Sequence, residues 1–268
     1  MTTKQSFALR LRWWRERRGL AQLELANAAE VSQRHISFIE LGRTAPSREM
    51  VLRLAAALAV PFREQNRLLL AAGYAPIWRE RSFDAPELEM VNQALDFILA
   101  QQEPFPAFVV DRRWNLLRAN LAGSRFIGFL TDGPPLKVDP AQPMNLADAL
   151  VAPDALRPLI ANWREVALYF IRGVQADALA EGSDETAALL ERLVSYPDVP
   201  SLSETLVSDR HDPVLTMDMT KSGVRLRLFT TLTTFSNPLE VAAEEMRIEC
   251  FFPADTSTAD RFKEWSVP

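Results

Sequence analysis

Residues 22–47 read QLELANAAEVSQRHISFIELGRTAPS, with the spacing of two short helices crossed at a tight turn. Leu25, Ala26, Val31, Ile36 and Ile39 are the small and aliphatic positions that would bury the crossing. Ser32 starts the second helix, and its first outward residues are Gln33, Arg34 and His35. A helix that leads with amide and guanidinium groups carries the donors and acceptors that match base edges in a major groove.

Helical patterns extend outward from this stretch over the first 82 residues. Phe7, Leu11 and Trp14 recur at helical spacing before Gly19, a C-terminal cap. Gly42 ends the 33–41 helix, Pro46-Ser47 opens a fourth with Met50, Val51, Leu54 and Leu58 inward, and Pro61 stops it. A fifth helix, 63–72, carries Leu68, Leu69 and Leu70 before Gly73-Tyr74-Ala75-Pro76 breaks the chain. Trp13 and Trp14 read as core packing rather than as a platform for bases.

The remainder changes character. Residues 87–102 form an amphipathic connector helix, and Pro104-Phe105-Pro106 introduces two strand-like runs in AFVVDRRWNLLRAN, 107–120. Residues 161–180 and 184–196 read as helices; 214–221, 224–235 and 245–252 read as strands, with a turn at Ser222-Gly223. Arg225-Leu226-Arg227-Leu228 alternates, so one face of that strand is wet. The expected fold class is α+β: a five-helix domain over 1–82, a connector helix over 83–104, and a helix-covered sheet over 105–268.

Composition bounds the possibilities. At 268 residues, with 48% apolar and 24% charged side chains, the chain suits two ordinary globular domains. The apolar runs fall short of the ~18 residues a membrane span needs. The N-terminus lacks the apolar centre of a signal peptide, so a cytoplasmic protein is expected. One cysteine, Cys250, excludes an internal disulfide, and two histidines, His35 and His211, argue against a histidine metal cluster. Charge is divided unevenly. Residues 1–82 hold 14 Lys and Arg against 7 Glu and no Asp, net +7; residues 83–268 hold 16 basic and 28 acidic side chains, net −12. That polarity suits polyanion binding at one end.

GLAQLELANAAEVSQRHISFIELGRTAPS resembles the XRE/Cro/phage-repressor type of helix-turn-helix domain, over residues 7–70. The resemblance implies that Gln22 grips a phosphate at a helix N-terminus and that Gln33 and Arg34 read adenine and guanine edges. Ser37 and Arg43 would contact the backbone; His35 either meets phosphate or sits exposed; Ser32 opens the reading helix. Arg15 and Glu40 match a structural ion pair. Two departures stand out: Ala21 occupies the usual cap position, and Glu30 replaces the usual turn glycine. Repressors of this type commonly dimerise, so a homodimer on palindromic double-stranded DNA is expected.

EPFPAFVVDRRWNLLRAN (103–120), NWREVALYFIRG (162–173) and the late GVRLRLFTTL resemble, more weakly, the ligand-binding domain of MmyB-like transcription regulators. That likeness implies a PAS-like sheet cupping a cavity, with a fatty acid or similar amphiphile as a possible bound molecule and no other cofactor. Phe108, Val110, Trp114, Leu116, Phe126, Phe129, Trp163, Val166, Phe170, Met217, Met219, Leu226 and Leu228 are the candidate lining; each also fits an ordinary closed core. A ligand carboxylate would lie near Arg172, Arg113 or Asn120, although Arg172 fits equally well as a partner of Asp177. The 84–102 helix is expected to transmit ligand binding to the DNA heads, in a direction that stays open. No nucleophile elbow, P-loop, dinucleotide fingerprint or zinc spacing is present, and His211-Asp212 has no third partner, so an enzyme is not expected. An antitoxin or interaction scaffold regulating its own synthesis is the alternative.

Overall fold

The computed structural model describes residues 3–83, 85–139, 142–199, 201 and 213–266; His211 and Asp212 lie outside these. The chain divides into two units. The first comprises Met1–Ser82, Ala178–Ser183 and Pro238–Glu244; the second comprises Phe83–Asp177, Asp184–Asn237 and Glu245–Pro268.

Five helices build the first unit: α1 (Thr3–Arg17), α2 (Gln22–Ala28), α3 (Gln33–Glu40), α4 (Arg48–Ala57) and α5 (Phe62–Ala71). Their inward stripes close one core containing Phe7, Leu11, Trp14, Leu25, Ile36, Ile39, Leu54 and Leu69. The chain reverses after α1 and α3 at Gly19 and Gly42, with φ of 67° and 68°, where a side chain would strain the backbone. One sequence expectation needs correction: Trp13 is 43% exposed while Trp14 is buried. Trp13 stands edge-on to Trp14 with the Arg17 guanidinium 4.6 Å from its ring centre, so it shields the core from outside.

Residues from far along the chain complete this unit. Arg17 donates to the carbonyls of Ala178 and Leu179, the latter at 2.7 Å, and Arg18 donates to Ala180 O at 2.7 Å. These carbonyls end a helix, where cations are favoured. Gly182, at φ 64°, follows them; a Cβ there would lie 2.6 Å from Trp13 and 2.7 Å from Trp14. Glu244 accepts from Phe62 N at 2.9 Å, and Glu240 pairs with Arg81.

The second unit holds β1 (Ala107–Val110), β2 (Leu116–Ala119), β3 (Met217–Lys221), β4 (Val224–Thr233) and β5 (Arg247–Pro253). Every pair is antiparallel, in the order β2-β1-β5-β4-β3. Ser222 and Gly223 both have positive φ, 48° and 80°, as a tight two-residue hairpin requires. Helices α6 (Glu89–Gln101), α7 (Leu121–Leu130), α8 (Leu146–Val151), α9 (Trp163–Glu181), α10 (Asp184–Ser195), α11 (Val241–Glu245) and α12 (Thr256–Ser266) complete the order, α9 and α11 contributing residues to both units. One face of the sheet is continuous through the register. Val110 and Leu116 pair, Phe108 faces Glu249, Thr230 faces Phe251, and Met217 faces Leu228. α7 lies so close to β1 that a Cβ on Gly123 would sit 2.8 Å from the Phe108 ring. Among the described residues, no helix is long and apolar enough to cross a membrane.

Candidate nucleic-acid interface and ligand cavity

α3 is held from behind and open in front. Ile36 and Ile39 are fully buried, while Gln33, Arg34 and Arg43 are exposed and His35 and Ser37 are partly so. Ser32 Oγ accepts from His35 N at 3.2 Å, so the hydroxyl caps the helix and leaves the leading edge clear. Ala21 offers α2 no side-chain acceptor; Glu24 reaches back instead, accepting from Ala21 N at 2.6 Å. Glu30 adopts the left-handed conformation expected of it, at φ 54°.

Arg15 and Glu40 form the anticipated pair, bidentate at 2.6 and 3.0 Å. That hydrogen bond raises the Arg15 pKa above its ordinary value, partly offset by burial. The Glu40 carboxylate also takes a hydrogen bond from Gln22 Nε2 at 2.8 Å. Gln22 is therefore tied to α3 through its side-chain amide. Phe38, missed in the sequence, organises the front: the guanidiniums of Arg34 and Arg43 lie 5.1 and 5.8 Å from its ring centre. A partly exposed aromatic one turn after an arginine is the signal that could have found it.

The second unit encloses a cavity of about 320 Å³. This is the lower end of the ~300–1,000 Å³ range of small-molecule sites. Phe108, Phe251, Leu228, Met217 and Met219 form its sheet wall; Trp114, Phe126, Val166 and Phe170 lie among the residues opposite. Tyr169, Val214 and Thr230, also lining it, are exposed, so the cavity opens to solvent.

Trp114 is positioned by strain. Asp111 Oδ1 accepts from Arg113 N at 2.8 Å and Asn115 N at 2.9 Å, while Trp114 donates to Asp111 O and accepts from Leu146 N. The clamp forces φ of Trp114 to 65°, outside the strand where the sequence places it. Its ring packs 4.7 Å from Phe170, and its buried indole N–H meets no acceptor among the described residues. A bulky left-handed residue costs ~1–3 kcal/mol and persists where surroundings over-determine it.

Of the sequence-predicted lining residues, Phe108, Trp114, Phe126, Val166, Phe170, Met217, Met219 and Leu228 meet at the cavity, while Val110, Leu116, Phe129 and Leu226 pack in or against the core outside its lining. Trp163 and the polar candidates Asn120, Arg172 and Arg113 also fall outside it. Trp163 is core: its indole donates to Leu150 O at 2.9 Å under the Arg157 guanidinium. Asn120 is buried, its oxygen accepting from Ala107 N and Gly123 N and its nitrogen donating to Phe105 O, so it knots β1 to α7. Arg172 lies outside the lining, and Asp177, its alternative partner, pairs with Arg247. Arg113 turns to Asp111 at 3.2 Å. The carboxylate of the lining that the sequence reading passed over is Glu249, beside Thr230, from whose hydroxyl it accepts a hydrogen bond. The signal was the strand RIECFF: with apolar residues on both faces, a carboxylate is out of place. Burial pushes Glu249 up to about 7.

A cavity bounded by a five-stranded antiparallel sheet stands after a helix-turn-helix unit, and the family comparison assigns both parts. The profile of the MmyB-like transcription regulator ligand binding domain matches residues 91–264. This chain belongs to that family. The helix-turn-helix profile matches residues 11–65, and this MmyB-like chain is accordingly a DNA-binding transcriptional regulator. Among solved structures, the clp gene regulator ClgR from C. glutamicum is 27% identical over 27% of this chain and 91% of its own, with a TM-score of 0.25. No curated protein matches the MmyB-like chain.

Proposed function

We propose that this regulator reads double-stranded DNA sequence-specifically through the first turn of α3, and that a small apolar ligand in the cavity modulates operator binding. The observation that carries the reading is the division of α3: Gln33 and Arg34 are exposed, while Ile36 and Ile39 are buried. Gln33, Arg34 and flanking Ser32 address the major groove, with Gln22, His35, Ser37 and Arg43 along the phosphates. Two copies on a palindromic operator set their reading helices ~34 Å apart. The strained Trp114 and the apolar lining support ligand control. A fatty acid has a suitable tail, and a PAS-like cup accords with the sheet order.

Ligand binding shifts the population of two body conformations, and the spacing of the DNA heads follows. α9 supports this coupling better than the 84–102 helix. Val166, Tyr169 and Phe170 line the cavity, and Ala178–Glu181 of the same helix belong to the first unit, held by Arg17 and Arg18.

Gel retardation of genomic fragments at low salt tests the DNA assignment. Arg34→Ala is expected to cost ~1–3 kcal/mol on the preferred site and relax discrimination at one base pair. Arg43→Ala is expected to weaken all sequences about equally. Identical behaviour of the two variants would overturn the division into readers and anchors, and no retardation at all would overturn the function.

A further inference from the structure

We infer that the cavity's ligand carries a hydrogen-bond-donating, cationic nitrogen at its polar end, held by the Glu249 carboxylate with Thr230 beside it. The inference rests on the cavity being a ligand site, and it names that ligand's head-group class.

The argument starts from what lines the cavity. Among the described residues, its lining contains no lysine, arginine or histidine; its ionisable groups are Glu249 and the phenol of Tyr169. The cation further along β5 on the same face, Arg247, is occupied by Asp177. Each guanidinium or amide read from the sequence as a carboxylate anchor is spent elsewhere or lies outside the lining. An ionised fatty acid would therefore bring a second negative charge against Glu249 with no basic side chain among the described lining residues to offset it, which is unfavourable in a low-dielectric site.

Position favours an amphiphile whose head is a donor. Glu249 shares the inward sheet face with Phe108, its register partner on β1, and with Phe251 two residues along β5, and Thr230 beside it is exposed. The carboxylate thus lies where the apolar wall meets the part of the lining open to solvent. A tail against Phe108, Phe251 and Leu228 and an ammonium on Glu249 satisfy both ends. Burial disfavours the Glu249 charge, and a cation at hydrogen-bond distance is the group that restores it.

Calorimetric titration of the full chain at pH 8 with decylamine, decanol and decanoate, below their micelle concentrations, tests this. Decylamine is expected to bind about tenfold or more tightly than decanoate, a charge-assisted hydrogen bond against a like-charge contact. Glu249→Gln, which keeps shape and removes charge, is expected to cancel that preference while leaving decanol nearly unchanged. If it does not fold, Thr230→Val serves, with about a threefold weaker decylamine affinity from the lost neighbouring hydroxyl. Decanoate binding the native chain as tightly as decylamine overturns the head-group inference and leaves the cavity a ligand site. A preference that survives Glu249→Gln overturns the assignment to that carboxylate. If none of the three binds, the ligand-site reading itself falls.

Discussion

The turn at Glu30 and the turn at Trp114 meet the same backbone demand with opposite side chains. Both are left-handed without glycine, at φ 54° and 65°. Glu30 is exposed between α2 and α3, and its strain serves only to cross two helices. Trp114 is buried, clamped by Asp111 and by Leu146 at the start of α8, and its ring forms part of a cavity wall. The two polar networks behind them differ in the same way. Glu40 is enclosed with cationic and amide donors, so its charge is answered inside the fold. Glu249 has a threonine hydroxyl and an open cavity. A site built for architecture satisfies its own charge; a site built for a ligand leaves part of that work to the ligand.

Three changes break or sharpen this contrast, from the largest effect to the smallest. Glu40→Ala takes the bidentate carboxylate from Arg15, whose side chain is only 10% exposed and keeps only the Leu20 carbonyl at 2.8 Å and the Glu16 carboxylate at 3.7 Å. We expect a loss of about 3–5 kcal/mol in urea unfolding, the cost of breaking a buried pair from one side; a loss below about 1 kcal/mol would place the network at the surface. Glu249→Gln comes next. The folded carboxyl titrates at about 7 against an ordinary 4.5. Between those values the folded state holds a proton that the unfolded chain has released, so raising pH removes stability. The native chain is expected to match the variant below pH 4.5 and to fall behind it progressively up to pH 7, by at most about 3 kcal/mol. A gap that stays constant with pH would contradict the assignment. Last, Glu30→Gly relieves strain on an exposed turn and is expected to stabilise by about 1 kcal/mol with operator affinity unchanged. A loss of stability there would mean that the Glu30 side chain does something the turn geometry does not require.

Legibility in the sequence followed the range of the interactions. The helix-turn-helix unit is local: caps, glycine stops and a 3.6-residue apolar repeat lie within a few residues of one another, so its helix boundaries could be read, whereas the Glu30 turn and the Arg15–Glu40 pair, 25 residues apart, were legible only through the family resemblance. The 107–119 hairpin and the Ser222-Gly223 turn were legible for the same reason. α8 and α11 were not, because helices of six and five residues carry too few periodic positions to stand out from loops; α12, eleven residues long, was passed over as well. Asn120 and Trp163 were misassigned since a polar side chain on a motif looks the same whether it meets a ligand or a backbone carbonyl.

By its order of residues alone, the chain determined that a polar-fronted helix would follow a tight turn and that a sheet with one apolar face would come after it. Those outcomes depend on dihedral preference and on which side of an element is greasy. Only the packed structure decided which aromatic residues enclose empty space, which arginines are already engaged, and that a carboxylate on β5 faces that space. Such facts arise where strands and helices distant in the chain converge, and the energy of a buried charge is set by those neighbours rather than by the residues beside it in sequence.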